Sequence, residues 1–487
     1  GVMNVDDGEL FADYLFFDED ATITVRVAPG RYHIMGYVVG GNFDTVSMVG
    51  DPEVEITGAT TFTLDARRAE PVRTGIEGVA ADPSFADLGY TRLDEGDDHG
   101  LAASFGVGQD LARDGLFAEP TDPVSAGQFE VELRTRLLPP GTTSPATAAT
   151  LYDLLLYGDR VPDPPSWVLP AAERARLARV ASGYRNLNDR ADYFDVRVGF
   201  APLQFFASGS YEPIAVPRSR VEYLSPGPVV WLHDGLWSRG EALIDFYGPA
   251  FVPYEPGQRS SERWFGAPLH GRGLGDRGGD WLFVGVADLQ DAGGHDGLPW
   301  EFSEPPVITQ ALRLYRDDRL LASAEQPFLQ AAVEPAAARY RLERDLNLHG
   351  LTRLANRSLT RWWFTSQAPP GEDPYGLLPL LSVDYRAAPL GGRNGAVAGQ
   401  AVTLDLAVAR QEGAEASEVV ATNLWFSTDD GDRWRRVRLR QTGPGHYQGT
   451  LPGSRLRSGD WVSLRTWAGD AGGGRVHQTL LRAFPVR

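Results

Sequence analysis

The 487-residue chain contains no cysteine and no lysine, and only three methionines. Without cysteine there are no disulfides, no zinc–thiolate sites and no cysteine nucleophile. Without lysine there is no phosphate-binding loop of the type whose lysine reaches the phosphates. All 46 basic residues are therefore arginine, which we read as GC-rich codon usage. No apolar run approaches the roughly 20 residues that a membrane-crossing helix needs, so membrane insertion is not expected. Acidic residues number 65, and the net charge is −19. That balance argues against nucleic acid or anionic membrane as a partner, because both are bound by neutralising phosphates. The chain opens Gly1-Val-Met-Asn4, in a strand-like region with no signal segment. The expectation is that Gly1 is not the first residue of the gene product, and that the protein is exported.

What the chain has in quantity is β-forming sequence. Hydrophobic residues make up 42%, enough to fill ordinary cores, and the length suggests about three domains. Residues 1–75 read as a small β-domain, with strands expected over Leu10–Phe17, Ala21–Val27, Arg31–Val38 and Thr60–Ala66. Ile23, Val25 and Val27 alternate with Thr22, Thr24 and Arg26, and Pro29-Gly30 offers turn chemistry. Residues 76–375 read as a β-rich middle region, divisible near 210–220. Its clearest strands are Phe129–Arg136, Thr150–Tyr157, Arg220–Leu224, Pro228–Leu232, Trp281–Ala287, Ala311–Tyr315 and Ala338–Glu343. One helix is expected, over Pro170–Ala181, with proline in its first turn and Leu177 and Val180 on one face. The Gly/Asp-rich tracts Gly271–Asp280 and Asp291–Gly297 read as exposed loops. Residues 376–487 hold seven short strand patterns separated by turns, the spacing of an immunoglobulin-like sandwich. The expected fold class is all-β, with several consecutive β-sandwich domains.

Few residue constellations carry chemistry. Ser427-Thr-Asp-Asp-Gly-Asp-Arg-Trp434 matches the Asp-box hairpin pattern, with Arg433 where threonine is usual. Asp429 can accept from backbone amides, Gly431 permits the bend and Trp434 can anchor it; this is structural. Asp288, Asp291 and Asp296 form a calcium candidate, because clustered loop carboxylates suit a hard cation. Their spacing fits no defined calcium loop, and a solvated acidic loop is the competing reading. The eight histidines are scattered without metal-ligand spacing. Gly106-Val-Gly108 lacks the third glycine of a dinucleotide site. Thr45-Val-Ser-Met-Val49 resembles a serine-protease nucleophile segment only superficially, with no preceding glycine and no helix pattern after it. Paired carboxylates abound, so spacing alone neither assigns nor removes glycosidase chemistry.

Several segments, taken in order, resemble the C-terminal extensions of secreted actinobacterial subtilisin-like serine proteases. They are Tyr254-Glu-Pro-Gly-Gln-Arg with Glu262-Arg-Trp264, Leu314–Leu320, Trp363-Phe-Thr-Ser366, the Asp-box segment and Gln478–Phe484. Gly50-Asp-Pro-Glu-Val and Thr61–Arg67 look like an upstream β-module, and Val27–Ile34 resembles prealbumin-like or carboxypeptidase-regulatory-like modules. Phe265 stands where asparagine is usual, and Trp362 is an extra tryptophan before Trp363. None of the family's three catalytic segments is found, so the resemblance transfers no catalytic residue. It implies a Gram-positive, extracellular, non-catalytic accessory region of a serine endopeptidase, with the catalytic domain upstream in the same chain, serving stability, spacing or substrate and surface binding. Protein substrate or cell-wall polymer would then be its partner. Two alternatives stand beside it: a free-standing glycan- or cell-wall-binding protein, and an unrecognised hydrolase in the middle region. No cofactor is expected beyond the calcium candidate. A row of outward-facing tryptophans on one sheet would favour glycan binding.

Overall fold

The computed structural model describes residues 1–487 apart from 18–20, 143, 208, 302–305, 350 and 372–374, and apart from the side chains of Ser210 and Asp288. The chain is all-β, built from several sheets that pack face to face as sandwiches. The helical turns among the described residues are of three to five residues.

A six-stranded sheet at the N-terminus is organised around the antiparallel pair Gly30–Val39 and Val46–Ile56. It is completed by Leu116–Ala118, which lies parallel to Val46–Met48 and antiparallel to Glu70–Pro71. Pairing therefore reaches past residue 75. Met35, Val46 and Met48 share one core with Leu88, Tyr90, Phe129, Val131 and Leu133 of a seven-stranded sheet. Two of the expected N-terminal strands do not form, and of the expected Leu10–Phe17 only Ala12–Asp13 pairs. Ala21–Val27 is irregular and largely exposed, and Thr60–Ala66 is irregular with no buried residue, apart from the short turn beginning at Ala66. Alternation shows that a segment could bury one face, but a strand also needs a partner to take up its backbone groups.

The seven-stranded sheet contains Gln128–Leu138, Thr150–Gly158, Ala178–Tyr184, Arg218–Leu224 and Arg259–Trp264. Gln128–Leu138 is buried on both faces beyond its first residue, because the six-stranded and ten-stranded sheets cover its two sides. The expected helix at 170–181 is not formed. A short turn, Glu173–Arg176, leads into the strand Ala178–Tyr184. Ala178, Val180, Ser182 and Tyr184 alternate inward, and this period of two outweighs the Leu177/Val180 spacing.

A ten-stranded sheet follows, including Asp192–Phe200, Val230–Arg239, Ala242–Tyr247, His270–Gly278 and Trp281–Gln290. The tract read as a loop from Gly271 is thus mostly a strand. Its glycines 271, 273 and 275 all point inward. A Cβ on Gly273 would lie 3.0 Å from the Trp362 ring, and one on Gly275 would lie 2.8 Å from the Phe283 carbonyl. Gly273 allows the neighbouring eight-stranded sheet to approach this closely, and Gly275 relieves crowding within its own sheet.

The C-terminal seven-strand pattern is present as an immunoglobulin-like sandwich. Leu381–Ala388, Val402–Arg410, Leu439–Gly443 and His446–Leu451 form a four-stranded sheet. Val419–Ser427, Trp461–Asp470 and Arg475–Pro485 lie in an eight-stranded sheet. That sheet also crosses residue 375: Arg357–Trp363 pairs with Arg475–Leu481, so Thr309–Arg316, Ala338–Asn347 and Arg357–Ser366 continue it.

Candidate functional site

Two places gather functional side chains among the described residues. The first is a charged seam between the seven- and ten-stranded sheets. Arg134, Arg136, Asp153, Tyr184, Arg220, Glu222 and Glu262 come from the first sheet, and Asp195, Arg197, Glu212 and His233 from the second. Arg134 and Arg136 clamp Asp153 at 2.9 and 2.8 Å, and Arg136 reaches Glu212 at 2.7 Å. Arg220 bonds Asp195 and Glu222, and Arg197 bonds Glu222. His233 places Nε2 2.7 Å from Asp195 and Nδ1 2.7 Å from Glu262. Four arginines and one histidine thus face five carboxylates, and the charges balance when His233 carries a proton.

The electrostatics agree. Burial and Arg197 push the His233 pKa down, but Glu262 and Asp195 prevail and raise it. Burial works against ionised Glu262, yet His233 and Arg197 hold it far below the usual carboxylate range. Asp195 and Glu222 are likewise lowered against burial, by Arg220 with His233 and by Arg197 with Arg220 respectively. A raised histidine contributes stability that is complete below its unfolded pKa, about 6.5, and is lost as pH rises through the folded value. Lowered carboxylates contribute stability that is present above about 4.5 and is lost as pH falls. The thermal midpoint is therefore expected to peak between about pH 4.5 and 6.5. His233→Gln should flatten the alkaline limb and also shrink the acid limb in part, because His233 helps to hold Glu262 and Asp195 down. An alkaline limb unchanged in that variant, measured by dye-monitored melting across pH, would remove His233 from this role.

The segment carrying the subtilase-like resemblance lies at the edge of this seam. Glu262 accepts from the Tyr254 hydroxyl at 3.2 Å and the Trp264 indole at 3.3 Å. Trp264 is buried and stacks on His295 with ring centroids 3.6 Å apart. The role of Tyr254, Glu262 and Trp264 is to join two sheets.

The second place is the outer face of the eight-stranded sheet. Residues opposite each other in an antiparallel pair share a face. Across this face Trp363 is opposite Arg475, and Arg361 is opposite His477. His477 is opposite Trp467, which is opposite Asn423; Thr479 is opposite Arg465, which is opposite Trp425. The Asp-box turn supplies one more ring. Ser427 Oγ bonds Asp429 at 2.6 Å, the Arg433 N–H donates to Asp429 at 3.0 Å, and Gly431 adopts φ +94°. This bend sets Trp434 so that the Arg465 guanidinium lies 4.0 Å from its ring centroid, a cation–π contact. Trp363, Trp425, Trp434, Arg465, Trp467 and His477 line an open depression of about 260 Å³. All four tryptophans are half-buried. By contrast Trp231, Trp237, Trp264 and Trp362 are fully buried. The sequence pattern picked out the Asp box but not this face, because its rings come from strands about 40–60 residues apart.

The calcium candidates are used in other ways. Asp291 accepts from the N–H groups of Gly293 and His295 at 2.8 and 3.1 Å and of Gly266 at 3.3 Å. Asp296 accepts from Gln290 at 2.8 Å and Arg272 at 3.3 Å. The Asp288 side chain lies outside the described residues. Among the described residues, no group of three or more potential ligands could hold a metal ion. For the hydrolase alternative, one carboxyl pair is Asp234 and Asp245, on the outer face of the ten-stranded sheet. Burial, with a smaller contribution from Asp245, raises Asp234 to about 6.

No family model matches the chain, and no curated protein matches it. Among solved structures, it is similar over 94% of its length to the N-terminal eight Ig domains of Down Syndrome Cell Adhesion Molecule, isoform 1.30.30, at 8% identity and a TM-score of 0.16. The chain covers 64% of that structure's length.

Proposed function

We propose that this chain is a non-catalytic, extracellular accessory region that binds polymeric saccharide, and that it rides with a secreted subtilisin-like endopeptidase. The observation that supports binding is the outer face of the eight-stranded sheet, where four half-exposed tryptophan rings sit together. Sugar rings have apolar faces that stack on aromatic ones, and a shallow open depression suits a polymer lying across it. Its volume of about 260 Å³ is below the range of about 300–1,000 Å³ usual for sites that enclose a small molecule. The link to a protease rests on the resemblance of the Tyr254–Trp264 and later segments.

The test of binding is co-sedimentation of the full chain with insoluble cell-wall polysaccharide. Trp467→Ala should weaken retention by about tenfold, the loss of one stacked ring. Equal retention of the variant would remove this face from the reading. The protease link is tested by the native mass in culture supernatant, detected with an antibody to this chain. A species larger than 53.1 kDa by roughly 30 kDa or more, about two further domains by length, supports it. A species of 53.1 kDa alone favours a free-standing binding protein.

A further inference from the structure

We infer that the tryptophan–arginine face takes an acidic polysaccharide, one whose sugars carry carboxylate or sulfate groups. This rests on the reading of the face as a saccharide surface and names the class of saccharide. The chain as a whole is strongly negative, at −19, yet no carboxylate lines the depression, while Arg465 and His477 do. Arg465 has its guanidinium against Trp434, and its Nε lies 3.4 Å from Thr479 Oγ1. Arg436 bonds Asn423 at 2.7 Å. Among the described residues no carboxylate pairs with Arg465, Arg475 or Arg436.

Three of the acids nearby in sequence or register, Glu343, Asp430 and Asp429, are already committed. Glu343 is shared by Arg341 and Arg361. Asp430 pairs with Arg482 at 2.7 Å, and Asp429 serves its own turn. Arg465, Arg475 and Arg436 therefore face the depression without an ion-pair partner among the described residues. Burial lowers the Arg465 pKa, and burial followed by Arg465 and Arg361 lowers that of His477. A neutral sugar stacked on Trp467 and Trp363 would desolvate Arg465 further and return only neutral hydroxyl acceptors, about half as strong as charged ones. A sugar bearing an anion would stack and also accept a charge-assisted hydrogen bond. Because the net charge repels polyanions at long range, attraction comes from this local field and should weaken steeply with salt.

The experiment titrates the intact chain with four probes at fixed salt: polyuronate oligomers, sulfated dextran, neutral β-glucan, and polyglutamate as a polyanion without sugar rings. At least one acidic glycan should bind about tenfold more tightly than β-glucan, and Arg465→Gln should remove about that factor, the value of one charged contact. Whichever acidic glycan wins identifies the anion. The exposed Arg475→Gln, with no bonded partner to disturb among the described residues, should lower the same preference if Arg465→Gln proves unstable. Equal binding of neutral and acidic glycans, unaffected by either variant, overturns the inference and leaves the saccharide reading standing. Polyglutamate binding as tightly as polyuronate also overturns it. Binding of no saccharide at all removes both.

Discussion

Arg220→Met should cost about 3–5 kcal/mol of stability, the range for removing one partner of a buried ion pair. Arg220 is fully buried and bonds Asp195 at 2.6 Å, Glu222 through Nε at 2.7 Å and the Tyr184 hydroxyl at 3.0 Å. Methionine fills much of the same volume but leaves two buried carboxylates short of a cation. Arg136, Arg197 and His233 stay in place but are already engaged. One carboxyl would have to take up a proton, so the loss should be larger at neutral pH than in mild acid. The measurement is the urea midpoint followed by tryptophan fluorescence. The control is Arg357→Met, which breaks a half-exposed pair with Asp345 and should shift the midpoint little. If the two variants behave alike, the seam is not what holds the two sheets. Replacing the whole seam with apolar residues is a different matter and is expected to be near neutral, because paired charges also carry a desolvation cost.

The second large effect separates two neighbours in sequence. Trp362→Ala should destabilise the chain by about 3–5 kcal/mol, while Trp363→Ala should cost under about 1 kcal/mol and weaken polysaccharide retention. Trp362 is fully buried, donates its indole N–H to the Leu381 carbonyl at 2.8 Å, and lies against Gly273. It therefore touches the eight-, four- and ten-stranded sheets together. Its loss leaves a cavity and an unpaired carbonyl, both costly. Trp363, one residue on, points to the opposite face and lines the depression. Thermal midpoint and retention measured on both variants settle the assignment. A large loss of stability in Trp363→Ala would mean that the outer rings are packing and not a contact surface.

Strand positions were the most legible feature. The alternation of Val402, Leu404, Leu406 and Val408, and the seven-strand spacing after residue 376, reappear almost unchanged. The Asp-box turn forms with the bonds its residue types imply. Ala21–Val27 shows the limit of such reading: it alternates as cleanly, yet it pairs with nothing among the described residues and forms no strand. The reverse happened at His270–Gly278, where glycines that look like loop residues make room for Trp362 within a sheet. At Ala178–Tyr184, an alanine-rich segment compatible with helix became a strand between two others, one parallel and one antiparallel.

Composition and local pattern thus carried the all-β class, most strands, the turn chemistry and the absence of thiol and lysine chemistry. The lack of lysine also means that the only cation of the seam able to titrate near neutrality is His233, since arginine stays charged. The partners were decided in three dimensions. A period of two says which residues share a face, but not which strand lies alongside or which face meets water. Trp363, Trp425, Trp434 and Trp467 become a surface, and Arg220 and Glu222 meet Asp195 and His233, only because packing between distant strands sets their register.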